Sequence, residues 1–253
     1  MCQYCRRDCR LAPGIKMEEI IRVTNIRKQY IVGNEKVVAL KKINLSIKKG
    51  EICCIFGTSG SGKSTLLNHL AGFEKPTKGE IFIKNTSITK LNEKNMAAFR
   101  QMHIGFIFQA YNLLPNLTAL ENVALPLVFR GVEMDKRMHR AMQLLKKVGL
   151  GKRGAHYPSQ MSGGQQQRVG IARAFVTHPE VIFADEPTGN LDTKTTAEVM
   201  NMIIAMAHKY NQTIVLVTHD PEMAKYADRI VTLIDGDIVN DTAVQKAPGI
   251  LNA

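Results

Sequence analysis

The chain has no tryptophan, few aromatic residues and a shortage of acid. Of 253 residues 6% are aromatic, and 34 lysines and arginines stand against 22 aspartates and glutamates, a formal net charge of +12. Without tryptophan or a basic stripe interleaved with aromatics there is no stacking platform for single strands, and nucleic acid is not expected as a partner. No uninterrupted apolar run approaches the ~18–20 residues that a membrane span needs. The longest runs, such as IVLV at 214–217, have the length of a strand. The basic start, MCQYCRRDCR, has no apolar stretch after it, so a secretory signal is not expected.

Cysteine is scarce too. Cys53 and Cys54 are adjacent in an apolar run. Neighbours in a strand point to opposite faces, so no disulfide is expected between them. Cys2, Cys5 and Cys9 have C-x2-C-x3-C spacing. They fall one ligand short of a closed four-ligand site, with no His or Cys nearby to complete it. Residues 1–17 show neither helical nor strand periodicity and are expected to be a disordered leader. The positive charge fits nucleic acid, an anionic membrane surface or nucleotide phosphate. Its local excess at 136–153 (Lys136, Arg137, Arg140, Lys146, Lys147 and neighbours) reads as a solvated helix face.

What remains is an ordinary globular composition, 45% apolar and 22% charged. Alternation at 19–31 and 40–51, around a Gly33-Asn34 turn, predicts an antiparallel region. Short apolar runs at 51–56, 104–108, 181–185, 213–218 and 229–235 predict buried strands. Helical spacing at 135–148, stopped by Gly149, and at 192–208 predicts helices between them. Such alternation specifies a mostly parallel α/β sheet with right-handed crossovers. The stretch between the second and third buried strands is too long for one crossover, so a helical insertion is expected at about 110–160. The main domain is expected to run over 18–240, with a tail at 241–253.

GTSGSGKST fills residues 57–65: Gly57, Thr58, Ser59, Gly60, Ser61, Gly62, Lys63, Ser64 and Thr65. Its glycines let backbone N–H groups curl around phosphate oxygens, and the helix N-terminus that follows adds partial positive charge. Lys63 reaches the β- and γ-phosphates, and the Ser64 hydroxyl is placed to ligate Mg²⁺. VIFADE at 181–186 is an apolar strand ending in two carboxylates. Asp185 is placed for Mg²⁺ contact, and Glu186, one residue on, for polarising the attacking water.

MSGGQ at 161–165 is a second glycine turn at a helix start, with Ser162 before Gly163, Gly164 and Gln165. It is an anion site by the same physics but has no lysine. A chain that already holds phosphates with Lys63 does not need it in cis. The economical reading is that it binds nucleotide held by a second copy, with two ATP molecules between head-to-tail partners.

Over residues 18–240 these motifs together resemble the ATP-binding-cassette (ABC) ATPases. GTSGSGKST resembles the Walker A loop, with Thr58 where proline is common. MSGGQ resembles the family signature, with Met161 where leucine is usual. VIFADE resembles Walker B with its glutamate, Gln109 the Q-loop glutamine, GNLD with Asp192 the D-loop, and His219 the switch histidine. The resemblance implies a P-loop NTPase core with an N-terminal antiparallel subdomain and an inserted helical subdomain. It implies ATP and Mg²⁺ as cofactors, Gln109 touching Mg²⁺ or water, His219 at the γ-phosphate, Asp192 at a homodimer interface and Tyr30 stacking on adenine. NLLPNLTALENVALPL at 112–127 and DEPTGNLD look most like the lipoprotein-release, macrolide-export and cell-division branch. That branch pairs with a membrane permease carrying a large extracytoplasmic domain, which implies a place at the cytoplasmic face of the cell membrane. The rival reading is a cassette acting on the ribosome or DNA. Against it, one cassette is present, and a compact segment fills the gap where DNA-acting members carry a coiled coil or zinc module.

Overall fold

A computed structural model of the protein describes residues 18–244. The chain opens with a long hairpin, β1 (Glu19–Val32) and β2 (Glu35–Lys48), turning at residues 33–34. The second strand begins five residues before the expected position and ends three before it. A turn at Lys49 and Gly50 then separates it from β3 (Ile52–Phe56). β3 leads through the phosphate loop into α1 (Lys63–Leu70), which carries the expected buried Leu66, Leu67 and Leu70. β4 (Lys78–Ile83) and the two-residue β5 (Thr86–Ser87) follow. They meet at Lys84-Asn85, both at positive φ, the geometry of a tight hairpin turn. α2 (Glu93–His103) then leads to β6 (Ile104–Ile107).

The insertion comes next. α3 (Ala119–Phe129) starts at a Thr118–Glu121 capping box. α4 (Met134–Lys147) ends at Gly149, whose φ of 78° lets the chain reverse. Both pack on α5 (Gly163–Phe175). Ala141, Leu144 and Leu145 of α4 are buried while Lys136, Arg140, Lys146 and Lys147 are exposed, so the basic run is a solvated face as expected. β7 (Val181–Asp185), α6 (Thr193–Tyr210), β8 (Thr213–Thr218), the short α7 (Pro221–Ala224), β9 (Arg229–Ile234) and β10 (Asp237–Ala243) complete the chain.

The strands form two sheets, β2-β1-β4-β5 and β10-β9-β3-β8-β7-β6. In the second, every pairing from β9 to β6 is parallel, and only β10 runs antiparallel on the edge. β3 lies near its middle with a core on each face. Cys53 and Ile55 join Leu66, Leu67 and the N-terminal sheet. Ile52 and Cys54 join the side that holds α3, α4 and α5. The adjacent cysteines therefore point to opposite faces, as strand geometry requires. Both are free thiols, and burial pushes Cys54 up to about 12 and Cys53 higher still. They are inert small core residues.

β10 runs to Ala243, across the expected domain boundary at 240. The expected leader and its three cysteines, and most of the expected tail, lie outside the described residues.

Candidate nucleotide site

β3 delivers the chain to Gly57 at the end of the sheet, and the loop closes where α1 begins. The N-cap of α1 is Gly62 at φ 102°, with no side-chain cap. A Cβ there would sit 2.7 Å from the Ala39 carbonyl oxygen, so only glycine fits. With no cap, the first-turn N–H groups of α1 stay free for a ligand. Lys63 is 6% exposed, and its Nζ donates to the Thr58 carbonyl, 2.7 Å away. The lysine is held inside the loop before any phosphate arrives. The turn between β9 and β10 braces the loop from behind, where Gly236 N–H donates to Ser61 O at 3.0 Å.

The loop lines a cleft of about 400 Å³ with Ser59, Gly60, Gly62, Lys63, Ser64 and Thr65 on one wall and Glu186 and His219 on the other. Asp185 ends β7 beside the Ser64 hydroxyl. Burial and the Glu186 charge push its carboxyl above the usual range, and Lys63 and Ser64 pull it only partly back. Glu186 sits at φ 41°, a left-handed conformation that costs a non-glycine residue energy. Its N–H bonds to Val217 O at 3.0 Å, and its carboxylate turns toward the cleft. His219 Nδ1 lies 2.7 Å from Glu186 Oε1, and Gln109 Nε2 donates to Oε2 at 3.3 Å. Three residues far apart in sequence thus share one point. Gly189 allows it, because a Cβ there would come within 2.7 Å of Gln109 Nε2.

Tyr30 lies in the regularly paired end of β1, between Gln29 and Ile31, close to Thr65 of the phosphate loop. Its hydroxyl donates to Glu74 Oε2 at 2.8 Å. Lys28 pairs with Glu74 and also lies over the tyrosine ring, 4.8 Å from its centre. Burial and the Glu74 carboxylate raise the Tyr30 hydroxyl.

Ser162 lies elsewhere. It caps α5 in a box with Gln165: the Ser162 hydroxyl accepts from Gln165 N–H at 3.3 Å, and Gln165 Oε1 accepts from Ser162 N–H at 3.1 Å. A second cleft of about 460 Å³ opens before it, lined by residues 162–165, Arg168 and residues 190–192 among others. Asp192 faces this cleft and caps α6 through Thr195 N–H and Oγ1. The two clefts share no lining residue. Within one chain the structure groups Lys63, Ser64, Asp185, Glu186, Gln109 and His219, and separately groups Ser162, Gly163, Gly164, Gln165 and Asp192.

Sequence reasoning missed several supports. Glu74 and Lys28 flank Tyr30. Asn190 Nδ2 donates to Gln109 O at 3.0 Å. Gln167 is fully buried between the loops that carry Gln109 and Glu186. None stands in a pattern that singles it out, since each acts through a partner distant in sequence. Among the described residues no group of three or more His, Cys, Asp or Glu could hold a metal, and no helix is long and apolar enough to cross a membrane.

A family model described as ABC transporter matches residues 40–189. An uncharacterised ABC transporter ATP-binding protein of Methanocaldococcus jannaschii is 50% identical over 220 residues, 87% of this chain and 98% of the relative. The macrolide export ATP-binding/permease protein MacB of Pasteurella multocida is 45% identical over 229 residues, 90% of this chain but 35% of that protein. The chain thus spans about a third of that longer relative. Among solved structures, the dimeric post-hydrolysis state of the ATP-binding cassette MJ0796, bound to ADP and Pi, superposes with a TM-score of 0.84. It is 43% identical, with 90% of this chain and all of that one covered.

Proposed function

The chain belongs to the ABC transporter family as its ATP-binding, ATP-hydrolysing subunit, and on that premise we propose that it works as a head-to-tail homodimer closed by two ATP molecules. One observation carries the reading: the α5 N-terminus opens into a cleft that shares nothing with the phosphate loop of its own chain. An anion site so placed serves a nucleotide brought by another copy. The dimeric relative bound to ADP and Pi is consistent with it.

In this reading Lys63 and the free amides of the loop hold the β- and γ-phosphates. Glu186 draws a proton from water as that water attacks the γ-phosphorus, and the bond to the ADP oxygen breaks. Gln109 and His219, already bonded to Glu186, orient its carboxylate, with His219 at the γ-phosphate and Gln109 at the Mg²⁺ or the attacking water. Tyr30 stacks on the base, with Glu74 holding the ring by its hydroxyl. The Ser64 hydroxyl and Asp185 carboxylate are two hard oxygen donors side by side, a set suited to Mg²⁺. Bound there, Mg²⁺ would neutralise phosphate charge.

Similarity to the macrolide-export ATP-binding/permease relative supports a membrane permease as partner. The extracytoplasmic domain of that permease and a place at the cytoplasmic membrane face follow from the branch resemblance read in the sequence. The insertion supplies a docking surface. Val128, Phe129, Met134 and Met102 are exposed apolar residues at the C-terminal ends of α2 and α3 and the start of α4. Arg130 ties the end of α3 to the end of α2 by donating to Gln101 O and Met102 O, and also donates to Thr177 O. The basic face of α4 suits an anionic leaflet.

Glu186→Gln tests the proposal. It keeps shape and loses the base, so turnover should fall by ~10²–10⁴-fold. The variant should still bind Mg·ATP and elute as a dimer in size-exclusion chromatography. A folded variant that stays monomeric under all nucleotide conditions would refute ATP-driven pairing.

A further inference from the structure

Gln167 is fully buried in α5, five residues past the Ser162 cap. Its Nε2 donates to Pro187 O at 2.5 Å and to Phe108 O at 3.4 Å. Pro187 follows Glu186, and Phe108 precedes Gln109. One amide thus ties together the backbones beside the two residues that meet at 3.3 Å in the cleft. Both neighbours are carbonyl acceptors, so the NH₂ group must face them; the reversed amide would set oxygen against oxygen.

The side chain grows from the helix whose N-terminus is the second anion site. The bond to Pro187 O is buried and stiff, because breaking it leaves an unsatisfied carbonyl in a place water does not reach, and the longer, part-buried bond to Phe108 O adds to it. A shift of α5 driven by an anion at Ser162 is therefore carried to the Glu186 and Gln109 loops. We propose that Gln167 is a positioning residue that couples nucleotide contact at the α5 N-terminus of a chain to the alignment of Glu186 and Gln109 in that same chain. Each ATP, touched by the partner's helix, would then set the geometry of the partner's own hydrolytic site. This inference rests on the reading of Glu186 as the base.

Gln167→Met keeps length and removes both donors. Misalignment of a reacting group costs up to about 100-fold, so kcat should fall ~10–100-fold while KM for ATP moves by less than roughly threefold. In the Glu186→Gln background the same substitution should cost nothing further, since the group it aligns is gone. The double variant should still form the Mg·ATP dimer. Turnover of Gln167→Met at the wild-type rate overturns the proposal. So does an equal loss in both backgrounds, or a folded double variant that no longer pairs, which would give Gln167 a purely structural role. Should Gln167→Met not fold, Gln167→Glu serves. Its neutral carboxyl donates one hydrogen bond and its carboxylate none, so its kcat relative to wild type should rise as pH falls. A flat ratio overturns the coupling. If Glu186→Gln is inactive and Gln167→Met is unimpaired, only the coupling fails. If Glu186→Gln itself turns over ATP normally, the reading of the base fails, and the coupling with it.

Discussion

Two helix N-termini in this molecule are both suited to phosphate, and they are built in opposite ways. α1 begins at a glycine in a left-handed conformation, has no side-chain cap and carries a buried lysine at its first position. α5 begins at a serine that caps it in a reciprocal box with Gln165, and it has no basic residue in its first turn. The first is an unsatisfied cradle whose free donors and cation are only fully used when an anion binds. The second satisfies part of itself and is stable while empty. On the function proposed above, affinity is concentrated at α1, α5 holds nucleotide only where α1 of another copy presents it, and this asymmetry makes pairing conditional on ATP.

The sharpest break in the comparison is removal of the cation. Lys63→Ala should abolish measurable turnover and weaken nucleotide binding, because the cradle then lacks the charge that distinguishes it from α5. Turnover within a few-fold of wild type would show that the two termini are equivalent after all. Mixing sharpens the test. A Lys63→Ala chain and a Ser162→Arg chain are each expected to be inactive alone. Together they leave one composite site with an intact Lys63 from one chain and an intact Ser162 from the other. Nucleotide-induced pairing no better in the mixture than in either variant alone would mean that α5 does not act in trans.

A smaller effect separates the termini by their acids. Asp185 stands beside α1, and its folded-state carboxyl lies above the usual range because burial and Glu186 disfavour its charge. Asp192 at the other cleft is held below that range by its bonds to Thr195. For Asp185 the sign is unfavourable: as pH rises through the carboxylate range the unfolded chain ionises first, and the nucleotide-free fold loses stability. Asp185→Asn should therefore melt higher than wild type without nucleotide, with the gain growing from acid to neutral pH. Its Mg²⁺-dependent turnover should fall ~10–100-fold, as for loss of a metal-orienting group. A variant that melts lower at neutral pH would contradict the assigned burial.

The legible parts share one property, that their information is local. The phosphate loop, the α5 start and the Asp185-Glu186 strand end are each contiguous, and the buried strands are apolar runs, so period and turn chemistry expose them. α2 stayed hidden because only Met96 on it is buried, which leaves no stripe to read. β10 stayed hidden because it is an exposed polar edge strand without a buried face. The meeting of Gln109, Glu186 and His219 was expected only through family resemblance, since no spacing in the chain encodes it. Gln167 and Glu74 were not legible at all. A glutamine among three and a glutamate in a loop acquire meaning only when the fold brings Pro187, Phe108 and Tyr30 to them.

The finest test asks whether the α5 cap and the α5 anion site are separable. Ser162→Ala removes a side-chain cap, which costs ~1 kcal/mol of stability. It also removes a hydroxyl that would touch a phosphate, and a lost hydrogen bond to a charged group weakens pairing by roughly tenfold or more. Ser162→Asp is the control. Aspartate caps a helix about as well as serine, so thermal stability should stay near wild type. Its charge, however, would face the incoming phosphate, so ATP-induced pairing should be lost. Stability and pairing should thus fall together in the alanine variant and part company in the aspartate variant. No equivalent experiment exists at α1, because Gly62 at φ 102° against Ala39 O admits no capping side chain. If Ser162→Asp pairs as well as wild type, the serine is only a cap, and the α5 terminus is not an anion site.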